Sequence, residues 1–343
     1  MPREDVSMKE AYLYEKLDKK KVRCRLCGHR CLIKDGAKGI CGVRENRDGM
    51  LTSLVYGKVI AMNVDPIEKK PLFHFLPGSR AYSIATVGCN FRCSFCQNSD
   101  ISQMPADNNR ILGEDTQPLN IVKKARETRS STIAYTYTEP TIYYEFARDT
   151  ARLAVKEGIR NIFVSNGYMT EECLMDIHPD LHGINIDLKA FSEKFYKEQC
   201  GAKLDPVLKS IKKARELGVW VEVTTLLIPG LNDSDEELKD IAEFLAGVDP
   251  EIPWHISRFH PTYRLTETIS TSPEDIHRAK DIGYNSGLKY VYTGNLPGDD
   301  GEKTFCHGCG KLLVDRYGFS IRNNSIKGGR CPQCNAEIPG IWV

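Results

Sequence analysis

Residues 88–98 read GCNFRCSFCQN and set Cys89, Cys93 and Cys96 in a C-x3-C-x2-C pattern. Thiolates are soft ligands suited to zinc and iron–sulfur centres. Three of them are one short of the four that close a structural tetrahedral site. They can instead hold three irons of a [4Fe–4S] cluster and leave the fourth iron open to an outside ligand. On residue types alone, a trinuclear or incomplete zinc site is the alternative. A second group, Cys306, Cys309, Cys331 and Cys334, is C-x2-C-x21-C-x2-C, with Gly310 after one knuckle and Pro332 inside the other. Two such knuckles complete one tetrahedron, so this segment is expected to be a zinc-ribbon-like module with structural zinc. Rubredoxin-type iron or metal-free thiols are the alternatives. A third group, Cys24, Cys27, Cys31 and Cys41, is C-x2-C-x3-C-x9-C, and its four ligands suit zinc and a second Fe–S cluster equally. Lys19, Lys20, Lys21, Arg23, Arg25 and Arg30 crowd it, as a solvated face or as a patch that docks RNA or an acidic partner. Of thirteen cysteines only Cys173 and Cys200 stand apart from these groups.

The elements that must position these thiols follow from hydrophobic patterning. Strand-like runs fall at 82–87, 131–137, 160–165, 183–188, 219–227, 254–259 and 289–293. Helical patterns alternate with them at 117–127, 141–157, 170–177, 205–217, 234–246 and 273–285. Sustained strand–helix alternation predicts βα units and a parallel sheet. In GINIDLKA, Ile184, Ile186 and Leu188 face one way and Asn185, Asp187 and Lys189 the other; VWVEVTT alternates likewise, with Glu222 and Thr224 on its polar face. A strand covered by helices on both faces would be apolar on both. The polar face therefore predicts a partial (β/α) barrel with a lined cavity, its site at the C-terminal ends of the strands. Cys89 directly follows the first of these strands. Upstream, the charged stretch 8–20 is expected to be helical, 50–57 and 58–65 to pair as a hairpin across Gly57, and 65–79, with three prolines, to be irregular. The expected segments are 1–78 (N-terminal four-cysteine metal-binding group and hairpin), 79–298 (core) and 299–343 (C-terminal module).

Composition narrows the classes. Of 343 residues 41% are apolar and 27% charged, and the net charge is +1. No global field recruits nucleic acid or an anionic membrane, and no apolar run has the ~18 residues of a membrane span. The N-terminus has no apolar h-region, so a cytoplasmic protein is expected, and short cysteine spacings in a reducing compartment indicate metal.

The CxxxCxΦC motif after the first core strand resembles the signature of the radical S-adenosylmethionine (SAM) superfamily. More narrowly, the chain is similar to the pyruvate formate-lyase activating enzyme-like group and to the radical SAM enzymes of the AmmeMemoRadiSam system. The carriers run in order from residue 24 to 296: CRLCGHRCLIKDGAKGICGVREN, DPIEKKPLFHFLPGS, GCNFRCSFCQN, YTYTEP, VSNGY, INIDLKAF, VEVTTLLIPGLND and VYTGNL. The C-terminal four-cysteine module is similar to one carried by some members only. The resemblance implies a partial (β/α)6 TIM-like barrel and a [4Fe–4S] cluster whose open iron SAM chelates. It also implies an external one-electron reductant of ferredoxin or flavodoxin type, and a radical that abstracts hydrogen from a substrate. Protein glycine, small metabolite and RNA nucleotide are all open as that substrate. Thr138 and Glu139, before Pro140, fall where the superfamily binds the SAM amine. Thr138 departs from the Asn usual in close relatives, and Glu139 alternatively caps the following helix. Ser165 and Asn166 match a Thr-Asn-Gly-like element, and Asp187 and Lys189 match an Asp-x-Lys pair that contacts SAM, with an internal ion pair as the alternative. Thr224 and Glu222 line the same cavity, facing either cofactor or substrate, and His260 falls at a SAM-contacting histidine, with His255 as its competitor on the opposite face. The extra cysteines precede the signature or lie far beyond it, whereas many activating enzymes carry ferredoxin-like cysteines after it. Glycyl-radical activation is thus an analogy. The competing class is a zinc-dependent RNA- or protein-binding scaffold without SAM chemistry.

Overall fold

The computed structural model describes residues 8–343. Its centre is an eight-stranded sheet, here β1 (Ala61–Pro66), β2 (Arg80–Ala85), β3 (Thr132–Tyr135), β4 (Arg160–Ser165), β5 (Gly183–Asp187), β6 (Trp220–Leu227), β7 (Trp254–Arg258) and β8 (Val291–Gly294). From β2 to β8 the strands are parallel and each pairs with its neighbours in sequence; only β1 runs antiparallel, on β2. No strand order reverses, as it would in a doubly wound sheet. The connecting helices are α1 (Pro118–Glu127), α2 (Tyr144–Lys156), α3 (Glu171–Ile177), α4 (Asp205–Glu216), α5 (Asp235–Val248) and α6 (Pro273–Asn285). Their starts are fixed locally. The Ser234 and Ser272 side chains accept the N–H groups of Glu237 and Asp275, and three acidic residues open α5 where the helix dipole favours them.

The alternation read in β5 and β6 is observed, and it continues in β7. Ile184, Ile186, Val221, Val223, Trp254 and Ile256 are buried in the core. On the other face the register sets Asn185 beside Glu222, and Asp187, Thr224 and His255 in one row across three strands.

The N-terminal segment differs from expectation. Residues 8–20 form no helix; they form short strands, Lys9–Glu10 and Tyr14–Lys16, in two small antiparallel sheets. The stretch has no 3.6-residue apolar stripe to bury, and a turn through Lys19 and Lys20, both at positive φ, sends it back on Val22–Cys24. The hairpin across Gly57 does not form either. Met50–Ser53 pairs with Arg44–Arg47, Lys58–Val59 with Glu114–Asp115, and β1 with β2. A boundary at 78/79 therefore cuts through the central sheet. The segment is fastened to α2 by a buried ion pair: Arg44 Nη1 and Nη2 donate to Glu145 Oε2 and Oε1 at 3.0 and 2.9 Å.

At the other end, Thr304–Phe305, Leu312–Tyr317 and Ser320–Asn324 form a three-stranded antiparallel sheet. Buried Arg316 ties it to the core, donating to the carbonyl of Phe73 at 2.6 Å and to Thr304 Oγ1 at 2.6 Å. Among the described residues no helix is long and apolar enough to cross a membrane.

Candidate active site

The C-terminal ends of the parallel strands open into a cavity of about 770 Å³. Cys89, Cys93 and Cys96 line it, together with Thr138, Glu139, Ser165, Asn166, Asp187, Lys189 and Thr224. Residues from Cys89 to Asn295 meet there because consecutive parallel strands all end on one side.

The thiol loop is held from several sides. Gln103 Nε2 donates to the carbonyl of Phe91 at 3.0 Å. The N–H groups of Arg92 and Ser94 donate to the carbonyls of Cys200 and Gln199 at 2.8 and 3.0 Å. Cys89 Sγ accepts the Phe91 N–H at 3.3 Å, and Asn166 Nδ2 lies 3.8 Å from it. Cys96 Sγ lies 3.2 Å from Ser102 Oγ. The turn Tyr196–Cys200 brings the Cys200 thiol against Cys93. A hydrogen bond from Cys200 and the charge of Lys189 pull the Cys93 thiol down, outweighing burial, towards the thiolate a metal needs. Burial, reinforced by the charge of Glu139, pushes Cys89 up.

Glu139 is buried and already saturated. Its Oε1 accepts the Thr141 N–H at 3.0 Å and the Ser165 hydroxyl at 2.8 Å, and its Oε2 accepts the Asn166 N–H at 2.8 Å. It thus caps the turn Pro140–Tyr143 and also fixes the end of β4. Burial raises its pKa, and these donors partly offset that. Asn166 then reaches back, Nδ2 donating to Asn90 Oδ1 at 2.7 Å. Thr138 Oγ1 donates to the carbonyl of Thr86 at 2.8 Å. Lys189 Nζ pairs with Asp187 Oδ2 at 2.9 Å. Burial opposes the Lys189 charge, but Asp187 and the thiols of Cys93 and Cys200 prevail and hold its pKa well above the ordinary lysine value.

Two expectations are corrected. His260 is exposed, with Nδ1 3.2 Å from Ser270 Oγ, and it does not line the cavity. Strand β7 ends at Arg258 and Phe259 turns into the core, so the alternation does not extend to His260. His255 is the histidine on the cavity face. Glu222 lies beneath the cavity rather than on its wall. It accepts the N–H groups of Phe73 and His74 at 2.9 and 2.8 Å and the Trp220 indole at 2.9 Å, and pairs with His255 Nε2 at 2.6 Å.

Sequence reasoning missed the far end of the cavity. Glu68, Lys70 and the hairpin tip Tyr317–Gly318–Phe319 line it. Lys70 Nζ donates to Asp65 Oδ2 at 2.6 Å, and burial brings its pKa down to about 8 against the pull of Asp65. Glu68 Oε2 is buried without a hydrogen-bond partner. The run EKKP reads as an irregular connection, and nothing in its pattern points towards a cavity. The basic residues around the first cysteine group are largely engaged: Arg25 and Arg30 both hold Glu172, Arg23 lies by Glu15, and Lys20 by Asp48. The four C-terminal sulfurs lie within 4.8 Å of one another, a set that can bind a metal.

Residues 83–245 match the family model described as "Radical SAM superfamily". An uncharacterized protein of Methanocaldococcus jannaschii, MJ0808, is 46% identical over 334 residues, which is 96% of this chain and 99% of that protein. A putative glycyl-radical enzyme activating enzyme of the same organism, MJ1632, is 29% identical over 61% of this chain and 77% of its own. The crystal structure of a radical SAM methyltransferase from Sphaerobacter thermophilus shares the fold, with TM-score 0.52 and 15% identity over 84% of this chain and 77% of that one. The chain belongs to the radical SAM superfamily. It is a radical SAM enzyme whose homologues include activating enzymes, and the family implies SAM and a [4Fe–4S] cluster as its cofactors.

Proposed function

We propose that Cys89, Cys93 and Cys96 ligate the [4Fe–4S] cluster and that the adjoining strand ends bind SAM, within a partial (β/α)6 barrel of activating-enzyme type. The observation that carries this reading is the convergence of the three thiols and seven of the eight expected cofactor residues on one cavity. The donors fit the group. Cys93 is held towards its thiolate form, and Asn90 Nδ2, buried beside Cys89, is a donor with no protein acceptor. Cluster and SAM together supply reductive C–S cleavage and hydrogen-atom abstraction.

The chain's own residues orient and enclose. The Asp187–Lys189 pair offers both charges to the zwitterionic methionyl end of SAM, and Thr224 stands beside Asp187 in register. Glu139 acts mainly as a positioning residue, because its lone pairs already hold Ser165 and Asn166. The C-terminal thiols are assigned structural zinc. Two of their sulfur pairs, at 3.5 and 3.7 Å, approach the ~3.8 Å edge of a tetrahedron with ~2.3 Å zinc–sulfur bonds. An external one-electron reductant feeds the site. A protein or small molecule is favoured over RNA as substrate, since Lys20, Arg23, Arg25 and Arg30 of the first cysteine group are engaged in ion pairs. The test is anaerobic reconstitution followed by assay of 5′-deoxyadenosine from SAM under a reductant. Wild type should form it and Cys93→Ala should not. Colourless protein without SAM cleavage would refute the reading.

A further inference from the structure

The four C-terminal sulfurs are the one group of three or more Cys, His, Asp or Glu side chains, among the described residues, whose ligand atoms lie within 4.8 Å of one another. A single zinc needs that spacing, since ~2.3 Å bonds set sulfurs ~3.8 Å apart on a tetrahedron. Cys24, Cys27, Cys31 and Cys41 are not so gathered, and neither are Cys89, Cys93 and Cys96. The N-terminal four nevertheless lie on neighbouring turns: Cys24 donates its N–H to the carbonyl of Cys31 at 2.9 Å, and a Cβ on Gly39, two residues before Cys41, would stand 3.8 Å from Cys31 Sγ. Neighbouring thiols that stand apart suit a cluster, in which each thiolate binds a different iron.

The N-terminal group also sits against the thiol loop. Gly28 donates its N–H to the carbonyl of Tyr168 at 2.9 Å, and His29 Nε2 lies 2.8 Å from the carbonyl of Asn90, next to Cys89. The close approach needs glycine on both sides. A Cβ on Gly28 would stand 2.8 Å from the Tyr168 ring. One on Gly88, which is at φ +104, would stand 2.8 Å from Val43 and 3.4 Å from the carbonyl of Cys41.

We propose that Cys24, Cys27, Cys31 and Cys41 hold a second [4Fe–4S] cluster that passes the reducing electron to the one at Cys89, Cys93 and Cys96. The recipient's assignment rests on the function proposed above. For each SAM cleaved, one electron enters the second cluster from a flavodoxin- or ferredoxin-like donor and leaves it for the first. No bond forms or breaks in that transfer.

Reconstituted wild type should contain about eight irons, with a single zinc in the C-terminal module. Cys89→Ala/Cys93→Ala/Cys96→Ala should keep about four irons and the broad absorption near ~400 nm. A colourless triple variant, or wild type with about four irons and two zincs, would overturn the proposal. Cys24→Ala/Cys27→Ala should retain an EPR signal that shifts on adding SAM; loss of that shift with iron retained would refute the recipient site instead. In this double variant, reduction of the remaining cluster by reduced flavodoxin, followed by stopped-flow bleaching, should slow at least ~10-fold, while reduction by dithionite is unchanged. A tenfold change corresponds to ~1.4 kcal/mol of barrier. Equal rates with flavodoxin would overturn the relay.

Discussion

Glu139→Gln removes one charge and turns one acceptor into a donor without changing the volume of the side chain. The amide oxygen can serve either Thr141 and Ser165 or Asn166, but not both sides. With the oxygen on the Thr141 side, the new NH2 group faces the Asn166 N–H, and a hydrogen bond to a charged acceptor is lost, worth about 1.5–3 kcal/mol. Asn166 carries the contact to Asn90 and lies against the Cys89 sulfur, so the loss reaches the cluster loop. If all of it appears in SAM binding, the dissociation constant rises about 10- to 100-fold. If the loss appears in folding stability instead, the melting temperature falls by about 2–4 °C. Equilibrium dialysis of SAM against reconstituted protein measures the first quantity, and EPR of the reduced cluster without SAM measures the second consequence. A direct SAM ligand would change affinity and leave the SAM-free spectrum alone. That result, or unchanged affinity in a folded variant, refutes the positioning role.

Arg44→Met leaves Glu145 buried and unpaired and should cost about 3–5 kcal/mol in denaturant unfolding, while Arg44→Met/Glu145→Met should recover most of it. Arg30 and Arg25, against the opposing effect of burial, lower Glu172 to about 2 from 4.5. Its carboxylate therefore adds stability above about pH 4.5 that is lost as pH falls towards about 2. Proteolysis of the N-terminal segment should accelerate across that window in wild type and show no such dependence in Glu172→Gln. Chelator treatment or Cys331→Ser should loosen the sheet that carries Tyr317 and Phe319, raising amide exchange over 304–324 while the iron content of the core is unchanged.

The legible parts of the chain were those with a repeating physical period. β5 and β6 each bury one face against helices and turn the other to a cavity, so alternation of Ile184, Asn185, Ile186 and Asp187 placed both the sheet and two site residues. The thiols were legible because metal ligation needs fixed spacings. Three things were not. The strands near the N-terminus are two to four residues long, too short to show a period. The role of Glu139 depends on partners two and twenty-seven residues away, and only the fold brings the farther one near. His260 failed because a motif match fixes order along the chain, whereas the face a residue shows depends on where its strand stops.

The two glycines where the cysteine modules meet have a consequence for inheritance and for engineering. Gly28 has no room for a side chain because of Tyr168, and Gly88 has none because of Val43. Each half of the contact is moulded on a residue that belongs to the other half. The N-terminal module is therefore not an interchangeable cartridge. Grafting it onto another barrel would require a glycine at the Gly88 position, where Val43 leaves no room for a Cβ, so that position in the barrel is tied to the module it receives.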